Sequence, residues 1–198
     1  MKRILFILIS LYIGILAACA ANIPHLLPWP QKVAWNGKKF QYRGTFVSLT
    51  ENFCSIGMEQ PAGNKITGNP SSHPALSVKW VEDFPDIRNE AYKLRVTSKG
   101  VEIEAITETG VYRAIQTLRQ LTEKKGNGIA ITGCEITDWP AFRIRGFMQD
   151  VGRTYISTDE LKREIAILAR YKINVFHWHL TENQAWRLQS KVFPMLND

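Results

Sequence analysis

Three segments decide the fold: Ile144-Arg145-Gly146-Phe147-Met148-Gln149-Asp150-Val151, Ser157-Thr158-Asp159-Glu160, and Asn174-Val175-Phe176-His177-Trp178-His179-Leu180. The first and third are largely apolar runs of strand length. The second matches a capping box, in which Ser157 satisfies an orphan helical N–H and Glu160 reaches back to the cap. Leu161, Ile165, Leu168 and Ala169 follow at helical spacing and predict the buried stripe of a helix through Tyr171. Strand, helix and strand with short connections make a right-handed βαβ unit, the repeat of parallel α/β folds. Apolar and aromatic residues on both faces of the strands suit a parallel sheet buried on both sides.

In such folds active groups collect at the carboxyl ends of the strands. Those ends are Asp150-Val151-Gly152-Arg153 and Leu180-Thr181-Glu182-Asn183-Gln184, both polar clusters directly after apolar runs. Neighbouring parallel strands put Arg153 and Glu182 on one rim. Two readings stand there. Arg153 is a planar fork able to hold hydroxyls or a carboxylate, or the two residues form an ion pair that closes the end of the sheet. His177 and His179 point to one face of their strand. They suit a zinc pair, or they pack inside with hydrogen bonds. No further ligands stand at metal-site spacing, so no metal is expected. Trp178 reads as core; Trp186 is either core or a sugar-stacking platform.

Upstream, Tyr92–Thr97 and Val101–Ile106 alternate polar and apolar as half-buried strands do, and Ser98-Lys99-Gly100 between them reads as a hairpin turn with Gly at a positive φ. Val111, Ala114, Ile115, Leu118 and Leu121 then recur at helical spacing, with Thr109 as the expected N-cap and Gly126 just past the end. Two strands and a helix over one face predict a small, non-catalytic α+β domain over residues 22–136. The segment from Gly57 to Pro74 reads as a long surface loop. Asp138-Trp139-Pro140 marks the boundary before the βαβ pattern of residues 140–198.

The chain has 198 residues, 45% hydrophobic and 22% charged, which excludes a disordered or fibrous protein. A closed (β/α)8 barrel needs ~250 residues, so a complete one does not fit. The formal charge of +7 comes from 25 Lys and Arg against 18 Asp and Glu. These residues are scattered, with no block of about five or six like charges to mark a nucleic-acid tail.

Lys2 and Arg3 precede a mostly apolar run, Ile4–Leu16, and small residues follow, so residues 1–18 read as a secretory signal. Leu16-Ala17-Ala18-Cys19 resembles the bacterial lipobox. Cys19 is then the lipid attachment site and the protein a cell-envelope or outer-membrane lipoprotein. The alternative is ordinary secretion to the periplasm or beyond. Removing residues 1–18 takes away two positive charges and no acidic ones, leaving +5. Cys54 and Cys134 remain, either paired in an oxidising compartment or buried as free thiols.

Arg145-Gly146-Phe147-Met148-Gln149-Asp150-Val151-Gly152-Arg153 resembles the first barrel strand of glycoside hydrolase family 20, the β-N-acetylhexosaminidases. Tyr171 to Leu188, through Asn174-Val175-Phe176-His177-Trp178-His179-Leu180-Thr181-Glu182-Asn183-Gln184-Ala185-Trp186-Arg187, resembles its second strand and following loop, and the likeness continues through Phe193-Pro194. Glu90-Ala91-Tyr92 and Gly110-Val111-Tyr112 are similar to the family's small domain. The resemblance implies an α+β supporting domain followed by the first βαβ unit of an incomplete (β/α)8 TIM barrel. It also implies substrate-assisted, retaining hydrolysis of terminal β-linked N-acetylhexosamine, one of the exceptions to the two-carboxylate scheme, with no cofactor. Arg153 matches the arginine that grips sugar hydroxyls. Glu182 falls where the family usually has an Asp that supports a catalytic His, a side chain one methylene longer. Asp150 matches a supporting Asp. The family's catalytic Asp–Glu pair lies in a Gly-Gly-Asp-Glu-like segment on the fourth barrel strand. No such segment follows Asp150, so the pair is expected beyond Asp198 and no catalytic residue is expected within the chain. The chain is therefore expected to be an inactive amino-terminal portion, acting on N-acetylhexosamine glycans only within its parent. The competing readings are a glycan-binding accessory lipoprotein and a metal-dependent barrel hydrolase using His177 and His179. Residues 140–198 are expected to pack poorly alone.

Overall fold

The computed structural model describes residues 24–50, 75–82, 84 and 89–197. The expected signal, Cys19, Cys54, the Gly57–Pro74 loop and Asp198 lie outside them. The first part comprises β1 (Lys32–Tyr42), α1 (Phe46–Thr50), β2 (Leu76–Trp80), β3 (Tyr92–Thr97), β4 (Gly100–Ala105), α2 (Glu108–Gln120), β5 (Thr122–Lys125) and β6 (Gly128–Asp138). They form a six-stranded sheet ordered β1-β6-β3-β4-β2, with β5 also pairing β6. The pairs are antiparallel except β2 with β4, which is parallel. Inward residues of β3 and β4 (Leu94, Val96, Val101, Ile103) meet Val111, Ala114, Ile115, Leu118 and Leu121 of α2 in one buried core.

Three details differ from the sequence reading. The N-cap of α2 is Thr107, whose hydroxyl accepts from Gly110 N at 3.2 Å, and not Thr109, which lies inside the first turn. The helix stops at Gln120; Gly126, at φ 57°, instead turns the β5–β6 hairpin. Gly100 opens β4 and is not among the positive-φ glycines. It is small because a Cβ there would stand 3.0 Å from the carbonyl of Ala75, which accepts from Val101 N at 2.9 Å.

The second part is β7 (Gly146–Asp150), α3 (Thr158–Arg170) and β8 (Val175–His179), then a hairpin of β9 (Thr181–Glu182) and β10 (Ala185–Trp186). Strands β7 and β8 are parallel, pairing Phe147 with Phe176 and Asp150 with His179. The capping box forms as expected, with Ser157 Oγ accepting from Glu160 N and Glu160 Oε2 accepting from Ser157 N. The architecture is thus an α+β sheet domain followed by a βαβ unit, a partial (β/α)8 barrel.

The buried α3 stripe, the two-sided burial of the strands and the core placement of Trp178 are not met in this unit. Leu161 is buried, but Ile165 is 45% exposed, and Phe147, Met148, Val175 and Trp178 are also exposed, so Trp178 is not core among the described residues. The βαβ unit holds two paired strands and one helix. A parallel sheet needs cover on both faces and further strands at its edges.

Candidate functional site

Asp150, the last residue of β7, shapes the exit from the strand. Its Oδ1 accepts from Gly152 N at 2.9 Å and Arg153 N at 3.1 Å, and its Oδ2 pairs with Arg153 Nε. The backbone bond from Arg153 leads the causes that hold the Asp150 carboxyl below its ordinary pKa. Gly152 lets the β9 segment approach: a Cβ there would stand 2.8 Å from the Cβ of Glu182. Arg153, with 59% of its side chain exposed, is thereby presented at the rim, 3.9 Å from Glu182 Oε2.

His179, last in β8, completes the cluster. Its Nδ1 lies 3.4 Å from Asp150 Oδ2 without hydrogen-bond geometry, and this buried nitrogen has no hydrogen-bond partner among the described residues. Its Nε2 is 3.8 Å from Glu182 Oε2. Ligand atoms of Asp150, His179 and Glu182 lie within 4.8 Å of one another, a spacing compatible with a cation, and Arg153 already sets its positive charge beside both carboxylates. His177, the other half of the sequence pair, is outside that group; its ring centroid is 6.0 Å from that of His179. Arg153, Glu182 and Asp150 therefore converge as the sequence placed them. Arg187, to which the residue pattern assigns no role, donates its Nε to Val151 O at 2.9 Å and fastens the β9–β10 hairpin to the end of β7. The one Asp-Glu dipeptide after Asp150, Asp159-Glu160, belongs to the α3 cap and not to the rim. The expectation that the catalytic pair follows Asp198 concerns sequence outside the described residues.

A second polar cluster sits at the opposite, amino ends of the same strands, and nothing in the residue spacing announced it. Lys172 Nζ donates to Asp138 Oδ2 at 2.7 Å and to Tyr92 Oη at 2.9 Å. Glu90 receives Arg113 at 2.7 Å, Arg145 Nη2, and Asn174 Nδ2 at 3.4 Å. Burial pushes the Lys172 pKa down, against the pull of Asp138. Glu90, Tyr92, Arg113, Asp138, Arg145 and Lys172 line a cleft of about 220 Å³ together with Trp29, Trp139 and Phe142.

Comparison with known proteins gives one answer for both parts. The family model described as glycosyl hydrolase family 20, domain 2, matches residues 24–139, and that described as glycosyl hydrolase family 20, catalytic domain, matches residues 142–198. A beta-hexosaminidase of Porphyromonas gingivalis is 38% identical over 147 residues, covering 71% of this chain and 18% of that protein. The beta-N-acetylhexosaminidase of Bacteroides fragilis superposes with a TM-score of 0.68 at 28% identity, covering 88% of this chain and 37% of that one. An exo beta-N-acetylglucosaminidase of Vibrio harveyi, solved in complex with N-acetylglucosamine, gives a TM-score of 0.67 at 28% identity, covering 86% of this chain and 28% of that one. The chain belongs to glycosyl hydrolase family 20, and it spans 18–37% of the length of these relatives.

Proposed function

We propose that these residues form part of a β-N-acetylhexosaminidase that removes terminal, non-reducing β-linked N-acetylhexosamine from glycans by substrate-assisted retaining hydrolysis. The observation that carries the reading is the exposed Arg153 guanidinium, held at the carboxyl rim by Asp150 and Glu182 in a family 20 chain. Arg153 grips sugar hydroxyls, Glu182 braces the rim beside His179, and Asp150 shapes the turn that presents Arg153. In this reading the proton donor and the acetamide-orienting Asp belong to a Gly-Gly-Asp-Glu-like segment further along the barrel, past Asp198. Residues 22–136 serve as the supporting domain and residues 140–198 open the catalytic one.

The test is hydrolysis of a chromogenic N-acetylglucosaminide by the full-length protein. Arg153→Ala is expected to lower kcat/KM about tenfold to a hundredfold, the loss of a charged hydrogen-bond donor. Absence of turnover, or a variant indistinguishable from the unaltered protein, overturns the reading. Residues 1–18 act as the leader and Cys19 carries lipid; labelled palmitate incorporated into Cys19→Ala as strongly as into the unaltered protein would refute this.

A further inference from the structure

Lys172 sits where a helix usually ends in glycine. At the end of α3, Lys172 N donates to Ala169 O at 3.0 Å and Ile173 N to Leu168 O at 3.2 Å, a Schellman motif whose left-handed residue is the lysine, at φ 63°. The helix end alone favours glycine there, so the lysine side chain answers to something else. That side chain is 7% exposed and bound to Asp138 and Tyr92 of the sheet domain. Exchanging a buried ion pair for apolar groups is often neutral or stabilising, so such a pair is poor ground for a stability role. What it does supply is a fixed geometry.

The geometry it fixes is that of β7 and β8. Lys172 stands three residues before β8, and its carbonyl accepts from Arg145 Nε at 2.8 Å, one residue before β7. Asn174 closes the arrangement: its Oδ1 accepts from Arg145 N at 2.8 Å, and its N donates to Arg145 O at 3.0 Å. Both strands thus start from one cluster seated on the sheet domain. Five residues at ~3.3 Å each carry a strand about 16 Å. At the far ends stand Asp150 with Arg153, and His179 with Glu182.

We propose that Lys172, held by Asp138 and Tyr92, is a positioning residue for the rim. Through it the sheet domain sets where Arg153 and Glu182 stand. This rests on the rim being the sugar site. A misplacement of about 1 Å at a reacting centre can cost about a hundredfold in rate, so the anchor is felt in turnover although it touches no substrate.

The experiment uses the full-length protein, with kcat/KM for the chromogenic N-acetylglucosaminide read well below each variant's melting midpoint. Four variants are compared: Lys172→Met, Lys172→Met with Asp138→Asn, the milder Tyr92→Phe, and Leu118→Ala as an apolar core control that removes none of the cluster's polar groups. The single lysine variant leaves Asp138 buried and unpaired; the double variant removes that charge. The expected result is a melting midpoint that recovers in the double variant while kcat/KM stays at least tenfold down. Tyr92→Phe shifts kcat/KM in the same direction, and Leu118→Ala lowers only the midpoint. If kcat/KM returns together with the midpoint, or Leu118→Ala loses as much activity, the lysine is merely structural and the proposal falls. If Lys172→Met does not fold, the double variant and Tyr92→Phe decide by the same criterion. No turnover in the unaltered protein overturns the sugar-site reading and this proposal with it; turnover that all variants retain overturns this proposal alone.

Discussion

Arg145 Nε donates to the backbone carbonyl of Lys172 at 2.8 Å while Arg145 Nη2 pairs with Glu90, so one guanidinium joins the residue before β7, the end of α3 and the sheet domain. Glu90 and Arg145 have 16% and 15% of their side chains exposed. Arg145→Ala strips Glu90 of one of two cations and leaves Lys172 O short of a donor. Removing one partner of a mostly buried pair costs about 3 kcal/mol. Urea denaturation of the chain should show that loss; a change under about 0.5 kcal/mol, typical of surface substitutions, would refute it.

Glu90 also sets a pH dependence. Partial burial pushes its pKa up, but the Arg145 and Arg113 guanidiniums outweigh this and hold it below the ordinary 4.5. A carboxyl lowered in the folded state contributes stability that is complete above 4.5 and is lost as pH falls through the lower folded value. Glu102, Glu123 and Glu135 shift in the same direction through lysine and arginine partners on the surface. Glu90→Gln should therefore lower stability at neutral pH and flatten part of the acid limb. Urea midpoints across about pH 3–7 on the two proteins make the comparison, and parallel curves would count against it.

Gly110 lies in the first turn of α2, where an alanine would ordinarily gain up to ~1 kcal/mol of helix propensity. Here an added Cβ would stand 2.5 Å from Ala91 O and 3.1 Å from Ala105 Cβ. Overpacking against backbone reverses the sign, and Gly110→Ala is expected to cost about 1–3 kcal/mol. A thermal midpoint at or above that of the unaltered chain would contradict this.

Cys134 is fully buried in the sheet core and free, and burial pushes its thiol up to about 12. The thiolate is the reactive form, so iodoacetamide at about pH 8 should leave Cys134 unmodified in the folded chain and label it rapidly in urea. Peptide mapping reads the residue directly, and prompt native labelling would show the core to be open.

The local signals in the sequence were strong where one element decides its own structure. The Ser157–Glu160 cap, the α2 stripe and the β3–β4 pair are all written within a few residues. Arg153, Glu182 and Asp150 were legible for a similar reason: polar groups directly after apolar strands mark carboxyl ends. The helix start at Thr107 was displaced by two residues because Thr109 is an equally good capping type, and only the bond to Gly110 N separates them. β1 is not legible as one strand because four consecutive exposed residues, Asn36 to Lys39, interrupt its alternation where the register with β6 shifts and Gly37 takes φ 70°. The cluster of Glu90, Tyr92, Asp138 and Lys172 was invisible since its members are up to 82 residues apart, and a lysine beside a tyrosine in sequence reads as surface.

Gly152 bears on which side chains can stand against the end of β7. It leaves room for whatever side chain β9 brings against the end of β7, and β9 itself belongs to a two-rung hairpin fastened by Arg187. Glu182 extends from this small hairpin, while the charges that seat both strands lie at their other ends. On the proposal that the rim is the sugar site, preference there diverges by single exchanges that leave the bonds joining the two domains intact.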